Sequence, residues 1–169
     1  MLFRSFPTLL LATTLLLSIG GCAKKEVPAP VKATSRYTLR TKQIGTGQVT
    51  SRQVTAQAHV VASSDTGYDF IEVQLATTPQ PASGVEMLTL YFSKPSGQPS
   101  TAFTLDDIVQ YDNTWPKGLP FENDAATLTL TSPGSYSGTF SGTRGQPTGG
   151  FVTSTYVTLE AGVFTEARP

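Results

Sequence analysis

From Arg36 to the end of the chain the apolar residues alternate with polar ones, and no stretch repeats them at helical spacing. This is the strongest constraint on the fold, because residues two apart share one face of a strand while residues three or four apart share one face of a helix. Ile71, Val73 and Leu75 form one expected inward row, and Leu88, Leu90 and Phe92 another. Ala126, Leu128 and Leu130 are expected inward with Thr127, Thr129 and Thr131 outward, and Tyr136 and Phe140 are expected in the core. Tyr68 and Phe70 add apolar residues to the second face of their strand, which predicts a central or covered position.

Strands are predicted near 36–42, 53–63, 68–77, 86–94, 101–105, 107–112, 125–131, 135–143, 151–160 and 162–166. The separators carry turn chemistry: Gly45-Thr46-Gly47, Ser63-Ser64-Asp65-Thr66-Gly67, Lys94-Pro95-Ser96-Gly97-Gln98-Pro99, Ser132-Pro133-Gly134 and Arg144-Gly145-Gln146-Pro147-Thr148-Gly149-Gly150. Short strands at this spacing predict an all-β fold, an antiparallel β-sandwich of immunoglobulin-like or jelly-roll-like type spanning residues 36–169.

The first 35 residues read differently. A short basic start with Arg4, an apolar run from Leu9 to Ile19 and the small residues Gly20-Gly21 precede Cys22, the chain's only cysteine. The run is too short to span a membrane, for which about 20 apolar residues are needed, and has the layout of a secretory signal over residues 1–21. Ile19-Gly20-Gly21-Cys22 resembles the lipobox of bacterial lipoproteins, in which the cysteine becomes the mature N-terminus and carries acyl chains. The resemblance implies a membrane partner, reached through lipidated Cys22. Residues 22–35 hold Pro28, Pro30 and three lysines without apolar periodicity, and are expected to be a stiffened linker. In the lipoproteins this resembles, Asp after the cysteine retains the protein in the inner membrane. Ala23 at that position implies the outer membrane, facing the periplasm or displayed at the surface.

Near the other end, Ser137-Gly138-Thr139-Phe140-Ser141-Gly142-Thr143 followed by Val157-Thr158-Leu159-Glu160-Ala161-Gly162-Val163-Phe164 is similar to the closing strands of small Bacteroidota-type lipoproteins of unknown function. In those, a strand with a glycine bulge follows an SGTFSGT strand. The present chain departs from them in having Glu160-Ala161 before Gly162, where Asp or Asn is usual. The resemblance implies a tethered β-sandwich and transfers no catalytic residue.

Charge limits the functions available. Twelve Lys and Arg balance twelve Asp and Glu, which argues against a nucleic-acid partner. Residues 23–52 hold seven basic residues against Glu26, a net of +6, and residues 53–169 hold four against eleven acids, a net of −7. On that division the linker and first strand suit anionic head groups, and the body suits neutral or cationic ligands. One Cys and one His leave no conventional zinc site, and no metal or other cofactor is expected. His59 shares a face with Thr55 and Gln57, the polar side of its strand.

No serine-nucleophile motif is present: Gly134-Ser135-Tyr136-Ser137-Gly138 puts Tyr where the nucleophile would stand. No catalytic residue is assigned. An enzyme alternative is a carboxylate-dependent glycan hydrolase drawing on Asp65, Asp69, Glu72, Asp106 and Asp107, although Asp106 and Asp107, as strand neighbours, are expected on opposite faces. The most distinctive segment is Tyr111–Glu122, with the only Trp, two prolines and several hydrogen-bonding side chains. Tyr111, Asp112, Asn113, Trp115, Phe121 and Glu122 are the candidate ligand-binding residues, suited to a glycan or a protein partner in the cell envelope. The competing arrangement folds Trp115 and Phe121 inward as a plug. The function expected is that of a lipid-anchored, non-enzymatic binding or structural protein, or a glycan-binding accessory module.

Overall fold

In a computed structural model, residues 34–82, 84–147 and 153–169 are described. The predicted signal segment, Cys22, nearly all of the linker and the centre of the 144–150 turn lie outside the described residues.

Ten strands follow in order: β1 (Thr34–Gln43), β2 (Val49–Asp65), β3 (Tyr68–Thr77), β4 (Met87–Pro95), β5 (Thr104–Tyr111), β6 (Leu119–Pro120), β7 (Glu122–Ala126), β8 (Thr129–Ser132), β9 (Ser135–Pro147) and β10 (Thr153–Ala167). The fold is all-β, with one 3₁₀ turn at Ser100–Ala102 among the described residues. The first strand begins at Thr34, and Ser35 is already buried, so the linker expected to reach residue 35 ends earlier. The ladders run β6-β5-β4-β3-β2-β1-β10-β9-β7, with β8 attached to β9. Strands next to one another in sequence form successive antiparallel pairs from β1 to β6, and the long-range β1–β10 pairing joins the two halves of the chain.

The two ends of this path come from one short segment. β6 pairs with β5 and β7 with β9, and a single residue, Phe121, lies between β6 and β7. The Phe121 N–H donates to Ile108 O at 2.8 Å, while the Ile108 N–H donates to Asp124 Oδ2 at 2.9 Å. The sheet thus folds over one core in a sandwich-like way without closing into a barrel. The core contains Val60, Val73, Leu75, Leu90, Phe92, Ile108, Phe140, Leu159 and Phe164, all but fully buried.

Bulges supply the bending. Three residues advance on β10 for two on β9 between Leu159 and Gly162, and again between Phe164 and Ala167; β7 does the same between Glu122 and Ala125. Each bulge contains a non-glycine residue with positive φ: Ala161 at 51°, Glu166 at 54° and Asn123 at 48°. The inward set of β10 therefore switches from Val157 and Leu159 to Gly162 and Phe164. The predicted strands 151–160 and 162–166 are one bulged strand, and 101–105 and 107–112 merge into β5 for the same reason.

One expectation fails. Leu130 is exposed, because 125–131 breaks into β7 and β8 and the latter is exposed along its length. The central position expected for the 68–77 strand is found, β3 lying inside the sheet, with Tyr68 exposed beside the Phe70 ring.

Candidate functional site

The turn after β1 lies at one end of β2 and the β2–β3 turn at the other, and the beginning of β1 is level with the end of β3, Thr34 facing Gln57 and Thr77 facing Ala56. A cleft of about 370 Å³ opens between β1, β2 and β10 on one side and β5 and β9 on the other. Leu39 and Val157 form its apolar floor, Thr41, Thr50 and Ser51 line one wall, and Arg52, Gln110, Asp112 and Arg144 complete it.

Its polar residues form a chain across the fold. Glu86, buried just before β4, accepts a bidentate pair from Arg52: Nη1 to Oε2 at 3.0 Å, and Nη2 to Oε1. Gln110 donates from Nε2 to Glu86 Oε1 at 3.3 Å, and its own Oε1 accepts from Arg144 Nη2 at 2.7 Å. Among the described residues that is the single hydrogen bond of the Arg144 guanidinium. Nε and Nη1 are buried without a partner, and the residue is only 5% exposed. Its cation lies 5.0 Å from the centre of the Phe121 ring. Burial lowers the Arg144 pKa and the field of Asp112 acts in the opposite direction; a guanidinium remains charged at neutral pH in either case. Arg52 moves the other way, raised chiefly by its hydrogen bonds to Glu86. Tyr37, beneath this network, is pushed up to about 12 by burial.

The network consists of inward-facing positions that carry polar side chains. Gln110 follows Ile108 in the β5 alternation, Arg144 follows Phe140 and Gly142 in β9, and Glu86 precedes Leu88 and Leu90 in β4. Sequence reasoning treated Arg144 as a turn residue and missed it. The signal was present, since period-two alternation carried past Gly142 puts residue 144 inside.

The six predicted binding residues separate. Asp112 borders the cleft, its Oδ1 accepting the N–H groups of Thr114 and Trp115 at 2.8 Å each, which shapes the loop as an Asx turn. Asn113 packs on the 78–86 connection, where a Cβ on Gly84 would meet its Nδ2 at 1.9 Å. Tyr111 is on the outer face, hydrogen-bonded through its hydroxyl to Tyr91 at 2.8 Å. Trp115 is half-buried with its Nε1 unpaired. Phe121 is a core residue, as the plug arrangement requires, and Glu122 is exposed on β7.

The carboxylates of the enzyme alternative are spread over the fold. Asp69, beside the β2–β3 turn, pairs with buried Lys94 and accepts from Ser64 and Ser96, contacts that hold it down to about 2. Glu72 is across Tyr91 from Asp107 on the outer face. Asp106 and Asp107 do not point to opposite faces: the β5 bulge leaves Asp106 unpaired and turns both outward, Asp106 accepting from Ser93 at 2.8 Å. Burial, then Asp124 and Asp106, raise the Asp107 pKa. His59 is exposed on β2.

The +6 and −7 division also changes. Arg36, Arg40, Lys42 and Arg52 belong to β1 and β2, so the chain from Thr34 onward carries eight basic against eleven acidic residues, a net of −3. Comparison with protein-family models, curated proteins and solved structures finds no significant match to this chain.

Proposed function

We propose that this chain is a lipid-anchored binding protein of the Gram-negative envelope, held at the outer membrane by acyl chains on Cys22, whose β-domain takes its ligand in the Arg52–Arg144 cleft. The reading is non-enzymatic: Asp65, Asp69, Glu72, Asp106 and Asp107 do not line the cleft, and the carboxylate that does, Asp112, accepts the N–H groups of its own loop. The observation that carries it is the meeting of Arg52, Glu86, Gln110 and Arg144 in one hydrogen-bonded chain at the cleft, with the Arg144 guanidinium left short of acceptors. Each buried CH₂ of an acyl chain contributes about 0.8 kcal/mol, so several chains on one residue hold such a domain firmly.

Mass spectrometry of the membrane-extracted protein is expected to find an acylated N-terminal Cys22. A mature terminus at another residue, or an unmodified Cys22, overturns the anchored reading. Pull-down of envelope components with wild type and with a Trp115→Ala variant tests the loop that Asp112 joins to the cleft. Loss of the captured component at an unchanged melting temperature is expected; equal capture by both proteins counts against a site bordered by this loop.

A further inference from the structure

Two arginines face a cleft that also displays the Asp112 carboxylate, the Gln110 amide and short hydroxyl side chains, and their electrostatic positions differ. The Arg52 charge is neutralised by Glu86, both of whose oxygens are engaged. Arg144 has a neutral amide, an aromatic ring and the field of Asp112, and no carboxylate hydrogen-bonds to it. Nε and Nη1 therefore remain as unused donors on a side chain more than nine-tenths buried. A buried cation short of acceptors is costly unless something supplies them, and a planar guanidinium is matched in shape and charge by a carboxylate. Facing it are Thr41 and Thr50, a cross-strand pair of short side chains that donate and accept hydrogen bonds, with apolar Leu39 and Val157 beside them. The space, about 370 Å³, is that of a small ligand and too small for a folded partner.

We infer that the cleft binds a carboxylate-bearing sugar of the hexuronate class, with Arg144 as the buried anchor for the carboxylate and the Thr41 and Thr50 hydroxyls reading the ring hydroxyls. The inference rests on the cleft being the binding site, as proposed above, and specifies what it takes. Arg52 stands at the mouth as a half-exposed second cation held in place by Glu86. Of the acidic residues of the body, Asp112 borders the cleft with its Oδ1 taken up by the Thr114 and Trp115 N–H groups, and exposed charges more than about 8 Å away are largely screened at physiological ionic strength.

The test is a titration of the full mature protein in detergent micelles with D-galacturonate, D-galactose and acetate, followed by calorimetry and by the Arg144 Nε–H resonance. Saturable binding of galacturonate is expected, with movement of that resonance and affinity at least tenfold above galactose and acetate. Arg144→Lys, which keeps the charge and loses the planar fork, is expected to weaken binding at least tenfold. Should that variant misfold, Arg52→Gln at the exposed mouth is expected to weaken binding severalfold, and the wild-type resonance still reports contact. Equal binding of galactose overturns the carboxylate requirement while leaving the cleft as a binding site. Equal binding of acetate overturns the sugar requirement, and absence of galacturonate binding overturns the inference altogether. An unmodified Cys22, by contrast, removes the anchored reading and leaves these affinities untouched.

Discussion

A methyl group on Gly138 would sit 1.9 Å from the Thr127 carbonyl oxygen and 2.7 Å from the Phe164 ring, and one on Gly142 would sit 3.0 Å from Phe121 Cβ. The two glycines flank buried Phe140 on the inward face of β9, and their missing side chains let the 119–127 segment approach that strand. Gly138→Ala must displace backbone, since Thr127 N–H donates to Thr139 O at 2.8 Å beside it. Overpacking of this kind costs roughly 1–3 kcal/mol, and a lower midpoint in urea unfolding is the expected result; an unchanged midpoint would mean that β7 and β8 are not packed as described. At this scale Phe140 was legible as a core residue, because its alternation is local. The need for glycine on either side was not, because the atoms that would clash belong to residues distant in sequence.

Among the elements, β10 shows how a small backbone distortion decides which side chains face the core. Ala161 and Glu166 both occupy the left-handed region, one at each bulge. Left-handed backbone costs a non-glycine residue about 1–2 kcal/mol, and glycine gives back part of that gain through unfolded-chain entropy. Ala161→Gly is therefore expected to stabilise the protein by roughly 0.5 kcal/mol. Glu166→Gly is expected to be destabilising, because the Glu166 carboxylate accepts from Ser135 at 3.0 Å and Arg168 at 2.8 Å. Denaturation midpoints moving in opposite directions would bear this out, and a fall in both would overturn the strain at Ala161. The change from inward Leu159 to inward Gly162 reads along the sequence as a break between two strands. Only pairing with β1 and β9 shows one continuous strand with an inserted residue.

Over the whole molecule, different parts of the folded sheet are held by different charge pairs: Arg52–Glu86 at the cleft and Lys94–Asp69 beside the β2–β3 turn. Asp69 is depressed from its usual value near 4 to about 2, first by its hydrogen bond from Lys94 and then by Ser64 and Ser96. A carboxyl whose folded pKa is lowered contributes stability that is fully present above the unfolded value and is lost as pH falls through the folded one. Part of the stability is thus expected to disappear between about pH 4 and pH 2. Acid unfolding of wild type and Asp69→Asn measures it: the variant should be less stable at neutral pH and converge with wild type near pH 2, and parallel curves throughout would remove Asp69 from the account. The sequence by itself determined that this chain is all-β and which residues of most strands face inward, because period-two alternation is a property of neighbours along the chain. It also marked the 111–122 segment as unusual. The tertiary structure alone decided the strand order, the use of residues 119–126 at both edges of the sheet, and the meeting of Arg52, Glu86, Gln110 and Arg144. Those four are far apart along the chain and come together only when the sheet folds over its core, and the charge left unpaired at Arg144 exists only in that arrangement.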